Sequence, residues 1–139
     1  MELQVGVKVL LKNREGKFLL LQKSLEKYPE MGDDRWDMVG GRINPGTSLI
    51  ENLRREIKEE TGLDLGAVPR LIAAQDILRV PGRHVVRLTY VATIDGEPTL
   101  DEDHDAYKWL TLDELRAHPE GTIDRYLKEL LDHEIPLND

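Results

Sequence analysis

The chain contains no cysteine. That absence excludes disulfides, thiolate metal sites and cysteine nucleophiles. No apolar run approaches the ~20 residues needed to cross a bilayer as a helix. No signal-peptide pattern opens the sequence, so a cytoplasmic location is expected. Positive charge is scarce: 19 Lys and Arg stand against 27 Asp and Glu, for a net charge of −8. This balance argues against a general affinity for nucleic-acid backbones. It leaves room for one polyphosphate ligand, because bound divalent cations reverse the local field. There is no internal repeat, low-complexity tract or sign of a second domain. At 139 residues, 40% hydrophobic and 33% charged, the sequence fits one soluble globular domain with a core that needs no staples.

What is present is concentrated between Gly40 and Leu63, GGRINPGTSLIENLRREIKEETGL. Ser48 followed three residues later by Glu51 is a capping-box pattern, which starts a helix at Thr47 or Ser48. Gly62 supplies the left-handed residue that ends it. At ~100° per residue, Glu56, Glu59 and Glu60 fall within an arc of about 100°. Leu49, Ile50, Leu53 and Ile57 occupy the adjacent face and are expected to be buried. Three carboxylates at this spacing repel one another, each pair costing a few tenths of a kcal/mol. Taken alone they read as a solvated face with Glu51–Arg55 and Arg55–Glu59 pairs. Convergent oxygen ligands are also what Mg²⁺ or Mn²⁺ requires.

The glycines and the spacing favour the second reading. The stretch resembles the Nudix box, the motif G-x5-E-x7-R-E-U-x-E-E-x-G-U of Nudix hydrolases, with U aliphatic. Gly41, Arg55, Glu56, Ile57, Glu59, Glu60, Gly62 and Leu63 stand at the required positions, eight of the nine specified. The departure is Thr47, where the family has a glutamate that usually partners the motif arginine. Glu51, one helical turn before Arg55, is a substitute partner.

Around the box, LQVGVKVLLK (3–12) reads as a strand, Asn13–Gly16 as a turn and Lys17–Gln22 as the returning strand of a hairpin. Residues 24–35 form a polar loop, and Trp36–Val39 a short strand leading into Gly40-Gly41. Trp36 reads as a packing residue in preference to a base-stacking platform. Residues 70–80 and 84–94, turned by Pro81-Gly82, should make an antiparallel hairpin. Arg79, Arg83 and Arg87 cluster there, either to meet an anionic ligand or as edge charges that discourage aggregation. An acidic loop (100–106) precedes a short strand at 107–110. His104 within it reads as an exposed loop histidine, with ligation as the alternative. Thr111–Leu115 is a capped short helix. A final helix runs from Gly121-Thr122 to about Asp132, with Ile123, Leu127, Leu130 and Leu131 buried.

The resemblance implies an α/β fold, a mixed β-sheet in an α/β/α sandwich, forming one Nudix domain over residues 1–139. It implies hydrolysis of a nucleoside diphosphate linked to another moiety. Glu56, Glu59 and Glu60, with the Gly40 carbonyl, would hold Mg²⁺ or Mn²⁺. Arg55 would orient the glutamates, and a carboxylate would act as base. The candidates for that base are Glu56, Glu60 or an extra acid, Glu102 or Asp103. Candidate substrate contacts are Lys23, Arg42 and Arg87; each competes with an ordinary role as a solvated or salt-bridged cation. A homodimer is compatible with the family. An isomerase reading, suggested by residues 28–41, fails because those enzymes use a cysteine. A silent nucleotide-binding domain is the other rival, supported by Thr47 and opposed by the intact REIKEE core. Downstream subgroup markers are not visible: positions 77–80 are Ile-Leu-Arg-Val, and Pro81 lies too far along for the ADP-ribose type. The default substrate is a nucleoside triphosphate, normal or oxidised, with ADP-ribose, nucleotide sugars and dinucleoside polyphosphates as rivals.

Overall fold

A computed structural model describes residues 1–29, 35–133 and 137. Among these residues, seven strands and three helices follow in the order β1 (Glu2–Lys12), β2 (Phe18–Lys23), β3 (Trp36–Asp37), β4 (Val39–Arg42), α1 (Leu49–Thr61), β5 (Arg70–Ile77), β6 (Arg83–Thr93), β7 (His104–Leu110), α2 (Leu112–Arg116) and α3 (Arg125–Leu131). Part of the expected loop at 24–35 lies outside the described residues.

The strands join one mixed sheet. β1 runs parallel to β6 over its whole length, and β5 closes the edge antiparallel to β6, as the Pro-Gly turn implies. The expected first hairpin is only partly realised. β1 and β2 pair at Lys12 and Phe18 and then separate. Beyond that point β4 adds to β1 and β3 adds to β2, so the sheet opens into two halves. β7 covers the far side of β2.

Strand alternation sends side chains to two cores. Val7, Val9, Leu11, Leu19, Leu21, Val39 and Tyr90 pack under α1 with Leu53 and Ile57. Leu10, Phe18, Leu20, Met38 and Val91 pack under α2 and α3 with Leu115, Ile123, Leu127 and Leu131. Helices therefore lie on both faces of the sheet, giving the expected sandwich. Full burial of a side chain such as Leu53 or Ile57 contributes about 1.5–3 kcal/mol. Among the described residues no helix is long and apolar enough to cross a membrane.

Several boundaries differ from the sequence expectation: β5 ends at Ile77, three residues short of the expected 80. The last helix begins at Arg125, because Asp124 caps the Leu127 amide. Ile123 is buried through a bridge to Trp36, not as part of the helix. β7 starts three residues earlier than expected, at His104, so the acidic loop is shorter.

Candidate functional site

The helix α1 is built as its caps require. Ser48 accepts a hydrogen bond from the Glu51 amide, and Gly62 adopts φ 72° with its amide bonded to the Lys58 carbonyl. Leu53 and Ile57 are fully buried, while Leu49 and Ile50 pack at the margin of the core. Glu56 and Glu60 are buried as well, at 9% and 7% exposure. The solvated-face reading therefore holds only for Glu59, whose side chain is 56% exposed.

Two glycines make room for these acids. A Cβ on Gly41 would stand 3.0 Å from both oxygens of the Glu56 carboxylate. Gly40 takes φ 141°, and a Cβ there would meet the Val7 carbonyl oxygen at 2.1 Å. No side chain fits at that position, so the backbone of β4 lies directly against β1. The Gly40 amide donates to Glu60 Oε1 at 3.4 Å.

The site itself is a cavity of about 190 Å³ lined by Lys8, Lys23, Tyr28, Gly40, Glu56, Glu59, Glu60, Asp101, Asp103 and His104. It lies where the sheet has parted. Glu56, Glu59, Glu60, Gly40 and Lys8 come from α1, β4 and β1, whereas Lys23 and His104 come from β2 and β7. Burial, reinforced by a hydrogen bond and charge repulsion from Glu56, pushes the Glu60 carboxyl up to about 9. Glu60 therefore carries a proton near neutral pH and bonds to Glu56. A divalent cation would displace that proton and satisfy both carboxylates. The donor set of buried carboxylate oxygens with an adjacent backbone carbonyl fits Mg²⁺ or Mn²⁺. As the side chains stand, among the described residues no three His, Asp or Glu groups already converge in ligand geometry.

Arg55 lies alongside, with Nη1 3.1 Å from Glu56 Oε1 and 3.4 Å from Glu59 Oε2. The partner expected from the sequence, Glu51, is not the one that holds it. Asn52 does so instead: its Oδ1 accepts from Arg55 at 3.1 Å and from the Asn44 amide at 2.9 Å. Its amide nitrogen donates to the Thr47 and Ser48 carbonyls at 3.0 and 2.6 Å. Fully buried Asn52 ties the loop to the helix and the arginine to both. Among the described residues the buried Arg55 Nε atom has no hydrogen-bond partner. That orphan donor accompanies the departure from glutamate at Thr47.

The outer candidates divide. Lys23 lines the cavity, its ammonium 5.0 Å from the Tyr28 ring centre. Asp103 lines it too, held below its usual range by a hydrogen bond from Lys27. Glu102 points outward, 89% exposed and 3.5 Å from Lys27. The Arg42 side chain is not among the cavity walls; its carbonyl accepts from Arg55 at 3.3 Å. Arg87 corrects both sequence readings. It is neither an edge charge nor a wall of the cavity. It is 9% exposed and bonds Asp124 Oδ2 at 2.5 Å, with its guanidinium 5.3 Å from the Tyr126 ring centre. Trp36 packs as expected, with the Lys108 ammonium 4.1 Å from its ring centre.

Two functional-site residues escape the motif. Lys8 sends its ammonium to Asp37 Oδ2 at 2.8 Å and lies 3.5 Å from the Met38 and Gly40 carbonyls. A lone lysine within the apolar run Val5–Leu11 was its only signal in the sequence. His104 is the other. Its side chain is 8% exposed, not the exposed loop histidine expected.

A NUDIX domain model matches residues 2–131. Among curated proteins, the asymmetrical bis(5'-nucleosyl)-tetraphosphatase of Sus scrofa is 33% identical over 102 residues, covering 70% of this chain. The match spans 65% of that relative's length, just under two thirds. The CTP pyrophosphohydrolase of Escherichia coli K12 is 30% identical over 119 residues, 84% of this chain and 82% of that one. Among solved structures, the MutT protein from Methanosarcina mazei Go1 superposes with a TM-score of 0.78 at 28% identity, covering 94% and 91% of the two chains. With the family model spanning nearly the whole sequence and the box folded around a buried pair of glutamates, this chain belongs to the Nudix hydrolase family.

Proposed function

We propose that the protein hydrolyses the pyrophosphate bond of a nucleoside diphosphate linked to another group, with a nucleoside triphosphate as the default substrate. The observation that carries this reading is the Glu56–Glu60 pair, two carboxyls buried together beside the Gly40 backbone with basic Lys23 on the opposite wall. A fold selected for stability alone would not bury two acids against each other. Glu56, Glu59, Glu60 and the Gly40 carbonyl are the residues that would hold Mg²⁺ or Mn²⁺. When bound, such an ion neutralises the pyrophosphate and makes a coordinated water more acidic.

The chain's own groups do the rest. Lys23 meets phosphate oxygens from the β2 side. Arg55 fixes the Glu56 and Glu59 carboxylates from outside. Glu56, Glu60 or cavity-lining Asp103 accepts the proton of the attacking water. Dinucleoside polyphosphates are the second substrate class, favoured by the similarity to an enzyme named for cleaving them. A panel of nucleoside triphosphates, oxidised nucleotides, ADP-ribose, nucleotide sugars and dinucleoside tetraphosphates, each assayed with Mg²⁺ and with Mn²⁺, decides the matter by product analysis. Turnover of one class at kcat/KM above ~10⁴ M⁻¹s⁻¹ is expected. Tight binding with no turnover under either metal would mark a silent binding domain instead.

A further inference from the structure

The Asp101–His104 pair is not used by the reading above, yet it faces the buried acids. Asp101 and His104 bracket the turn that leads into β7, and a register shift beside Lys23 of β2 sets how His104 enters the cavity. Such irregularities re-aim side chains next to sites. His104 Nδ1 lies 2.7 Å from Asp101 Oδ1. An ionised carboxylate can only accept, so Nδ1 is the donor and, in the neutral ring, Nε2 keeps its lone pair. That Nε2 points at Glu60 Oε1 across 3.9 Å, beyond hydrogen-bond reach. The imidazole is more than nine-tenths buried, since its side chain is only 8% exposed.

A carboxylate that fixes the tautomer of a histidine whose other nitrogen faces an acid is how proteins prepare an imidazole for metal ligation. The spacing agrees. Two ligands about 2.1 Å from one ion can lie at most about 4.2 Å apart. The Glu60–His104 separation of 3.9 Å is within that reach.

We infer that His104 is a nitrogen ligand of a divalent cation shared with Glu60, its lone pair directed by Asp101, so that the centre is of mixed oxygen and nitrogen character. The inference rests on the proposed metal-dependent reading of the same cavity. Mg²⁺ favours an all-oxygen shell, whereas imidazole raises affinity for Mn²⁺ and later first-row ions. The site should therefore prefer Mn²⁺ over Mg²⁺ by at least about tenfold in affinity, and a His104→Gln variant should lose most of that preference.

The test is pulsed electron paramagnetic resonance on the whole, untagged protein loaded with Mn²⁺ in imidazole-free buffer. Modulation from a directly coordinated ¹⁴N nucleus is expected, changing to the ¹⁵N pattern when the histidines are labelled. It should vanish in His104→Gln, which should still bind Mn²⁺, about tenfold more weakly. Asp101→Asn, which keeps the imidazole and disturbs only its tautomer, should weaken the coupling and covers the case of a misfolded His104 variant. Bound Mn²⁺ with no nitrogen coupling in the wild type would overturn the inference and leave the carboxylate site standing. Coupling that survives in folded His104→Gln would overturn it too. No bound Mn²⁺ in the wild type would sink both this inference and the proposed function.

Discussion

Two buried charge clusters meet where the sheet parts, with Lys8 at the edge of both, and they are built on opposite rules. In the first the charges pair: Lys8 with Asp37 and Arg87 with Asp124, at 2.8 and 2.5 Å. Burial alone would raise the Asp37 carboxyl, but the charges of Lys8 and Arg87 outweigh it and hold that group below its usual range. Under α1 the balance is reversed. Glu56 and Glu60 face each other, and Glu60 is held far above its usual range. The first cluster is complete as it stands, while the second is complete only with a cation. Buried charge alone therefore does not mark a functional site; two buried carboxyls facing each other point to one.

Breaking the second cluster should have the largest effect. Glu60→Gln keeps the shape of the protonated acid and removes the negative charge. Turnover should fall about 10³-fold, equivalent to ~4 kcal/mol, with an unchanged circular dichroism spectrum. Glu56→Gln and Glu59→Gln should behave alike, Glu59 more mildly because it is exposed. Rates within tenfold of wild type for all three would end the assignment.

The first cluster should fail differently. Arg87→Ala removes the ion-pair partner of Asp124, leaving Asp37 only its pair with Lys8, and should cost about 3 kcal/mol of stability in urea unfolding. At a temperature where the variant is folded, kcat/KM should stay within about threefold of wild type. A selective rise in KM would instead return Arg87 to the substrate contacts that the sequence suggested.

The smallest effect is one of pH, and its sign separates the clusters. Folded Glu60 keeps a proton that the unfolded chain releases near 4.5, so its contribution is full below that pH and is lost as pH rises toward about 9. Asp37 has the opposite sign: its contribution is present above the ordinary carboxylate range and lost as pH falls through its lowered value. In EDTA, the melting temperature should drop between pH 5.5 and 8.5. Added Mn²⁺ should reverse the drop, and Glu60→Gln should flatten it. A metal-free melting temperature that rises over that interval would contradict a protonated Glu60.

Much of the fold was legible because its signals are local. The caps of α1 need only Ser48, Glu51 and Gly62, and the turn of the β5–β6 hairpin needs only Pro81 and Gly82. The box glutamates are legible through their spacing. What the sequence hid depends on distant partners. Arg87 meets Asp124 across 37 positions and Lys8 meets Asp37 across 29. Asn52 is an ordinary polar helix residue until the loop folds back over it. His104 looked exposed because nothing in an acidic loop announces that a shifted register will bury its ring. The parting of β1 from β2 was equally invisible, since a sound hairpin pattern does not reveal a competing strand.

That parting gives Met38 a mechanical role. β3 belongs to one half-sheet and β4 to the other, and Met38, 1% exposed, is the single residue between them. Glu60 and Gly40 belong to one half, Lys23 and His104 to the other. The gap across the site is spanned at the root by the Lys12–Phe18 pair and at the mouth by Met38 and the Lys8–Asp37 ion pair. A ligand that touches both walls bridges that gap, so grip on the substrate is a property of the sheet as much as of any side chain that meets it.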